Sequence, residues 1–92
     1  MSNKSEGSKT KKHATWVDKN VALNTKNIRL LRRLSRHNDE FVRLAVTLNR
    51  ALSENSRKKT KDCYKNILVG MIRTDPVISI RDSALAKLLK LG

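Results

Sequence analysis

The chain has 92 residues, with 21 Lys and Arg against 8 Asp and Glu and a formal net charge of +13. A single small domain of this length buries only roughly 60–65% of its unfolded surface, so stability needs well-packed helices or a second subunit, and homodimerisation is an option. The charge exceeds what solubility requires and costs folding energy through self-repulsion; a partner of opposite charge is the simplest compensation, whether nucleic acid, acidic protein or anionic membrane.

Residues 1–14 are Ser, Lys, Thr, Gly and Asn with almost nothing apolar, and they cannot repay the entropy of ordering. They read as a disordered basic tail in which Lys4, Lys9, Lys11 and Lys12 are auxiliary phosphate contacts. The segment has neither the apolar run of a membrane anchor nor the pattern of an export signal. A soluble cytoplasmic protein is expected, with no membrane partner and a place at the nucleoid or in a ribonucleoprotein.

Residues 15–92 read as one helical domain. Trp16, Val17, Val21, Ala22 and Leu23 recur at helical spacing, with Thr15 as N-cap, which predicts a short first helix through about Leu23 with Trp16 anchored in the core. The next helix runs from Asn24 or Thr25 to about His37. At about 100° per residue, Ile28, Leu30, Leu31 and Leu34 fall on one side and Lys26, Arg29, Arg32, Arg33 and Arg36 on the other. No acid lies within this helix, so intrahelical pairing does not account for these cations.

Asn38-Asp39 supplies a turn and an N-cap for a third helix, predicted through about Glu54. Phe41, Val42, Leu44, Ala45, Val46, Leu48, Ala51 and Leu52 cover most of its circumference, leaving Glu40, Arg43, Thr47, Arg50 and Glu54 for solvent. A helix so widely apolar packs against at least two others. A polar loop over 53–61 follows, carrying Arg57, Lys58, Lys59 and Lys61. From Thr60 or Lys61 to Arg73, Cys63, Tyr64, Ile67, Leu68, Met71 and Ile72 define a fourth helix in which Gly70 permits a close crossing. Cys63 reads as a small hydrophobe in a reducing compartment. Pro76 stops this helix. The last one opens with Ser79 and Asp82 in a capping-box spacing, continues through Ala84, Leu85, Leu88, Leu89 and Leu91, and ends at Gly92. The fold class is therefore all-α, a small bundle of four to five short helices.

Catalysis needs a nucleophile with its base, paired carboxylates, a metal cluster or a glycine-rich phosphate loop. His13, His37 and Cys63 have no ligand spacing, the acids are scattered at helix starts, and the 3 glycines are dispersed. His37 reads as a helix-end residue favourable to the dipole. The expectation is a protein that is not an enzyme and has no cofactor or metal.

The stretch from Asp75 to Gly92, with its Leu85-Ala86-Lys87-Leu88-Leu89 core, resembles the first half of a helix-turn-helix module, in which such a helix leads into a glycine turn. The likeness covers about a fifth of the sequence, and the recognition helix that would enter the major groove needs roughly ten further residues.

Positive charge is concentrated in the tail, the second helix and the 56–61 segment. With Lys26, Arg29, Arg33 and Arg36 docking, Arg32 at their edge and Arg57, Lys58, Lys59 and Lys61 widening the footprint, the expected function is a nucleic-acid-binding accessory or regulatory protein. It would hold DNA or RNA mainly by the phosphate backbone. The alternatives are an adaptor or inhibitor docking on an acidic surface of a nucleic-acid-processing enzyme, or a ribonucleoprotein component.

Overall fold

The computed structural model describes residues 16–92, which contain five helices and no strand. The tail lysines, His13 and the proposed Thr15 cap lie outside the described residues. Residues 16–24 are helical and form α1; α2 is Ile28–Leu34, α3 Glu40–Thr47, α4 Lys58–Thr74 and α5 Ile78–Leu91. Leu31, Val42, Val46, Tyr64, Leu68, Ile80 and Leu91 are the largest apolar side chains fully enclosed between α2, α3, α4 and α5, and Ala22 brings α1 into the same core.

Helix boundaries differ from the apolar periodicity where polar side chains intervene. Thr25 Oγ1 accepts from Asn27 N at 3.0 Å, and Asn27 Oδ1 accepts from Leu30 N at 3.2 Å, so α1 and α2 are separate helices with the break at 25–27 and α2 is capped by Asn27. Asp39 caps α3 as expected, its Oδ1 accepting from Phe41 N at 2.7 Å.

The third helix stops at Thr47, a full two turns short of the expected Glu54. The reason is Asn49, which is completely buried. Its Oδ1 accepts from Ala51 N and Leu52 N, both at 2.9 Å, while its Nδ2 donates to Ala22 O and Thr25 O, both at 2.8 Å. A side chain that satisfies backbone groups in this way competes with helix continuation. Arg50 N donates to Leu23 O at 2.7 Å and Lys87 Nζ to Asn49 O at 2.7 Å, so the segment after α3 is fastened to α1 and α5.

Two residues assigned to solvent have structural roles instead. Thr47 is buried, with Oγ1 bonded to Leu44 O and Ser83 Oγ. Arg43 Nε donates to Asp75 Oδ2 at 2.8 Å, and its guanidinium also reaches His37 O and Asn38 O. Asp75 Oδ1 accepts from Val77 N at 2.9 Å and shapes the turn into α5. That turn replaces the expected Ser79 capping box: α5 opens at Ile78 with no side-chain cap.

Trp16 is 59% exposed, so it is not the expected core anchor. Phe41 and Leu48 also lie exposed on α3, with Lys19 Nζ 5.9 Å from the Phe41 ring centre. Gly70 serves no close crossing, since a Cβ there would meet nothing within 4 Å. Cys63 is half-buried on α4, and Gly92 follows α5 with the positive φ of 71° that suits a glycine C-cap.

Candidate nucleic-acid interface

The rotation of α2 about its axis is set by Leu31 and Leu34, which are buried, and by the half-buried Ile28 and Leu30. With that face turned inward, Arg29, Arg32 and Arg33 are exposed, as are Lys26 before the helix and Arg36 beyond it. Among the described residues Arg43 forms an ion pair with Asp75, and His37 makes a hydrogen-bonded contact with Asp18. None of the five cations from 26 to 36 takes part in either.

Neighbouring side chains show how the cations are arranged. Lys26 and Arg57 line one shallow depression together with Leu52, Ser56 and Thr60. Arg29 and Arg33 flank Asn27 and Leu30. Arg32 and Arg36 line a groove whose other wall is α4, through Asn66, Ile67, Gly70, Met71 and Thr74. The start of α2 therefore adjoins the start of α4, its end adjoins the later turns of α4, and the two helices run side by side in the same direction. Arg29 and Arg33, at i, i+4 spacing within α2, share one face, while Arg32 from the last turn and Arg36 from beyond the helix end meet along the groove beside α4.

The 56–61 cluster is only partly a loop. Lys58, Lys59 and Lys61 belong to the first turn of α4, Arg57 stands at its N-cap without a side-chain cap bond, and that turn contains no acid. A helix N-terminus carries positive partial charge, so cations there are destabilising by typically 0.3–1 kcal/mol each. At the other end of the comparison, Arg32 and Arg33 occupy the last turn of α2, where the same dipole favours them. Of the cluster, Arg57, Lys58 and Lys59 are exposed, whereas Lys61 is half-buried and its Nζ donates to Glu54 O at 3.1 Å.

His37 lies past the end of α2 and bridges elements rather than facing its dipole. Its Nδ1 accepts from Asp39 N at 3.0 Å and its Nε2 is 3.1 Å from Asp18 Oδ2, an arrangement that fits the tautomer protonated on Nε2. Among the described residues no group of three or more His, Cys, Asp and Glu is placed to hold a metal, and no helix is long and apolar enough to cross a membrane. Sequence reasoning singled out neither Asn66 nor Thr74; their signal was the polar and small row Asn66, Gly70, Thr74 at i, i+4, i+8 on α4. No protein-family model, curated protein or solved structure matches the chain.

Proposed function

We propose that this protein is a nucleic-acid-binding accessory or regulatory factor that holds the phosphate backbone with α2 and the first turn of α4, and that its role is binding rather than catalysis. The observation that carries this reading is that Lys26, Arg29, Arg32, Arg33 and Arg36 are all exposed and none pairs with a carboxylate among the described residues. The first turn of α4 adds to it. Arg57, Lys58 and Lys59 stand where the helix dipole disfavours them, with no acid in the turn, a cost that a bound polyanion would offset.

Phosphates suit this surface because arginine offers a planar fork for bidentate contact, while lysine supplies a mobile point charge. Positioning on the backbone needs no base contact, so affinity for unrelated sequences is expected to be similar. The test is fluorescence anisotropy on labelled DNA and RNA oligonucleotides, with the double variant Arg29→Gln/Arg33→Gln beside the native chain. These side chains are exposed, so circular dichroism should be unchanged while affinity falls. Equal affinity for the variant and the native protein contradicts the reading.

A second reading, a protein-docking adaptor, is favoured by α5. Ile78, Leu85 and Leu89 are exposed at helical spacing on one side of that helix, Leu89 by 73%, and apolar rows of this kind suit a partner protein or a second copy. Co-purification of a partner that survives nuclease treatment, and is lost in Leu85→Gln/Leu89→Gln, would favour it.

A further inference from the structure

We propose that the groove between α2 and α4 takes one unstacked base of a single-stranded nucleic acid, so that single strands are the preferred ligand. This rests on the nucleic-acid reading above and narrows it to a substrate class.

The groove is a distinct feature of the basic face. Its volume is about 240 Å³, below the roughly 300–1,000 Å³ occupied by drug-sized ligands, so it suits one planar ring and not an extended cofactor. Its floor is apolar, formed by the buried Ile67 and Met71. Gly70 lies along its α4 wall in open space, since a Cβ there would meet nothing within 4 Å. Glycine inside a helix is unfavourable relative to alanine, and here no crossing helix requires it. A side chain longer than that of alanine at this position would take up space in the groove.

The rim has the groups a nucleotide needs. Arg32, in the last turn of α2, and Arg36, beyond its end, both stand on one wall. One guanidinium can hold a phosphate while the other lies flat against the base, as arginine planes do in single-strand recognition. On the opposite wall the exposed Asn66 amide makes no hydrogen bond among the described residues, and an amide matches the donor and acceptor pattern of a base edge. Ser35 Oγ donates to Arg32 O at 2.6 Å and Thr74 Oγ1 to Gly70 O at 2.7 Å, so both hydroxyls present only acceptor capacity. Among exposed ring systems, Trp16 and Phe41 are on other elements, so stacking in this slot falls to arginine. An acidic peptide could use the two arginines and the amide, but it has no flat ring to lie on the apolar floor, which favours a base over a carboxylate side chain.

The experiment compares native protein, Gly70→Ala and Gly70→Leu by anisotropy on a labelled single strand and on a duplex of equal length, at one fixed salt concentration. Gly70→Ala leaves the slot open and should bind as the native chain does. Gly70→Leu fills it and should weaken single-strand binding by about tenfold, the effect of losing one stacked base, while duplex affinity stays within about twofold because backbone contacts are unaffected. A Gly70→Leu variant that binds single strands as tightly as the native protein overturns the proposal, as does equal weakening on both ligands. Competition by poly-glutamate that is itself abolished by Gly70→Leu overturns it in favour of a peptide. Salt-sensitive native binding to both ligands with no Gly70 effect would leave the phosphate-backbone reading standing and remove this one alone; no native binding to either ligand removes both.

Discussion

Single polar residues determine where this fold bends. Asn49 and Asp75 each bond to a group distant in sequence, Asn49 donating to Ala22 O 27 positions away and Asp75 accepting from the Arg43 side chain across 32. Asn49→Asp keeps the shape and the acceptor oxygen but turns a second oxygen toward two carbonyls. We expect it to cost about 3 kcal/mol or more, read as a lower urea midpoint. Asp75→Ala strands the Arg43 guanidinium against an Asp site whose side chain is 2% exposed, and should cost about 2–4 kcal/mol in the same measurement. Neither role was legible beforehand, because burial of a polar side chain depends on partners that only tertiary packing brings near.

Tyr64 links residue chemistry to pH. It is fully enclosed, with its hydroxyl donating to Val46 O at 2.6 Å, and burial pushes its phenol well above the ordinary value near 10. The folded state therefore keeps a proton that the unfolded chain releases at that pH. Its contribution is complete below pH 10 and is lost as pH climbs through the raised folded value. Lys87, lowered by burial and then by Lys90, acts oppositely, its folding cost easing as pH rises toward the unfolded value. Tyr64→Phe leaves Lys87 in place, so above pH 10 its stability should decline less steeply than that of the native protein in parallel denaturant titrations.

At the scale of elements, five helices and the inward face of α2 followed from apolar spacing alone, since Leu31 and Leu34 are buried where a 3.6-residue period puts them. Helix ends were less legible. The start of α4 looked like a loop because four of the five residues from Arg57 to Lys61 are cationic, and sequence rules expect acids in a first turn. This mismatch gives a two-way prediction. Arg57→Ser with Lys59→Glu supplies a cap and an acid to α4, worth about 0.5–2 kcal/mol of added stability. The same change should weaken nucleic-acid binding, so melting temperature and affinity move in opposite directions. Gly70→Ala is expected to add about 0.5–1 kcal/mol, raising the melting temperature by several degrees for a domain of this size.

Across the whole molecule, the chain's surplus of cations was plain from composition, but its geometry was not. The pairing of Lys26 with Arg57 in one depression, and of Arg32 and Arg36 with α4, depends on α2 and α4 lying side by side, which periodicity within each helix does not specify. Arg43 and Lys61 read like their neighbours in sequence, yet one pairs with Asp75 and the other donates to Glu54 O; only the remainder is available to a polyanion.

The most direct test of that remainder is the salt dependence of duplex binding, measured from about 50 to 200 mM. Counterion release predicts a log–log slope of about −0.9 for each phosphate neutralised, so contacts from both α2 and the first turn of α4 should give about −3 or steeper, and Arg29→Gln/Arg33→Gln should make it shallower by roughly two such increments. An affinity that stays flat over this range would contradict the account.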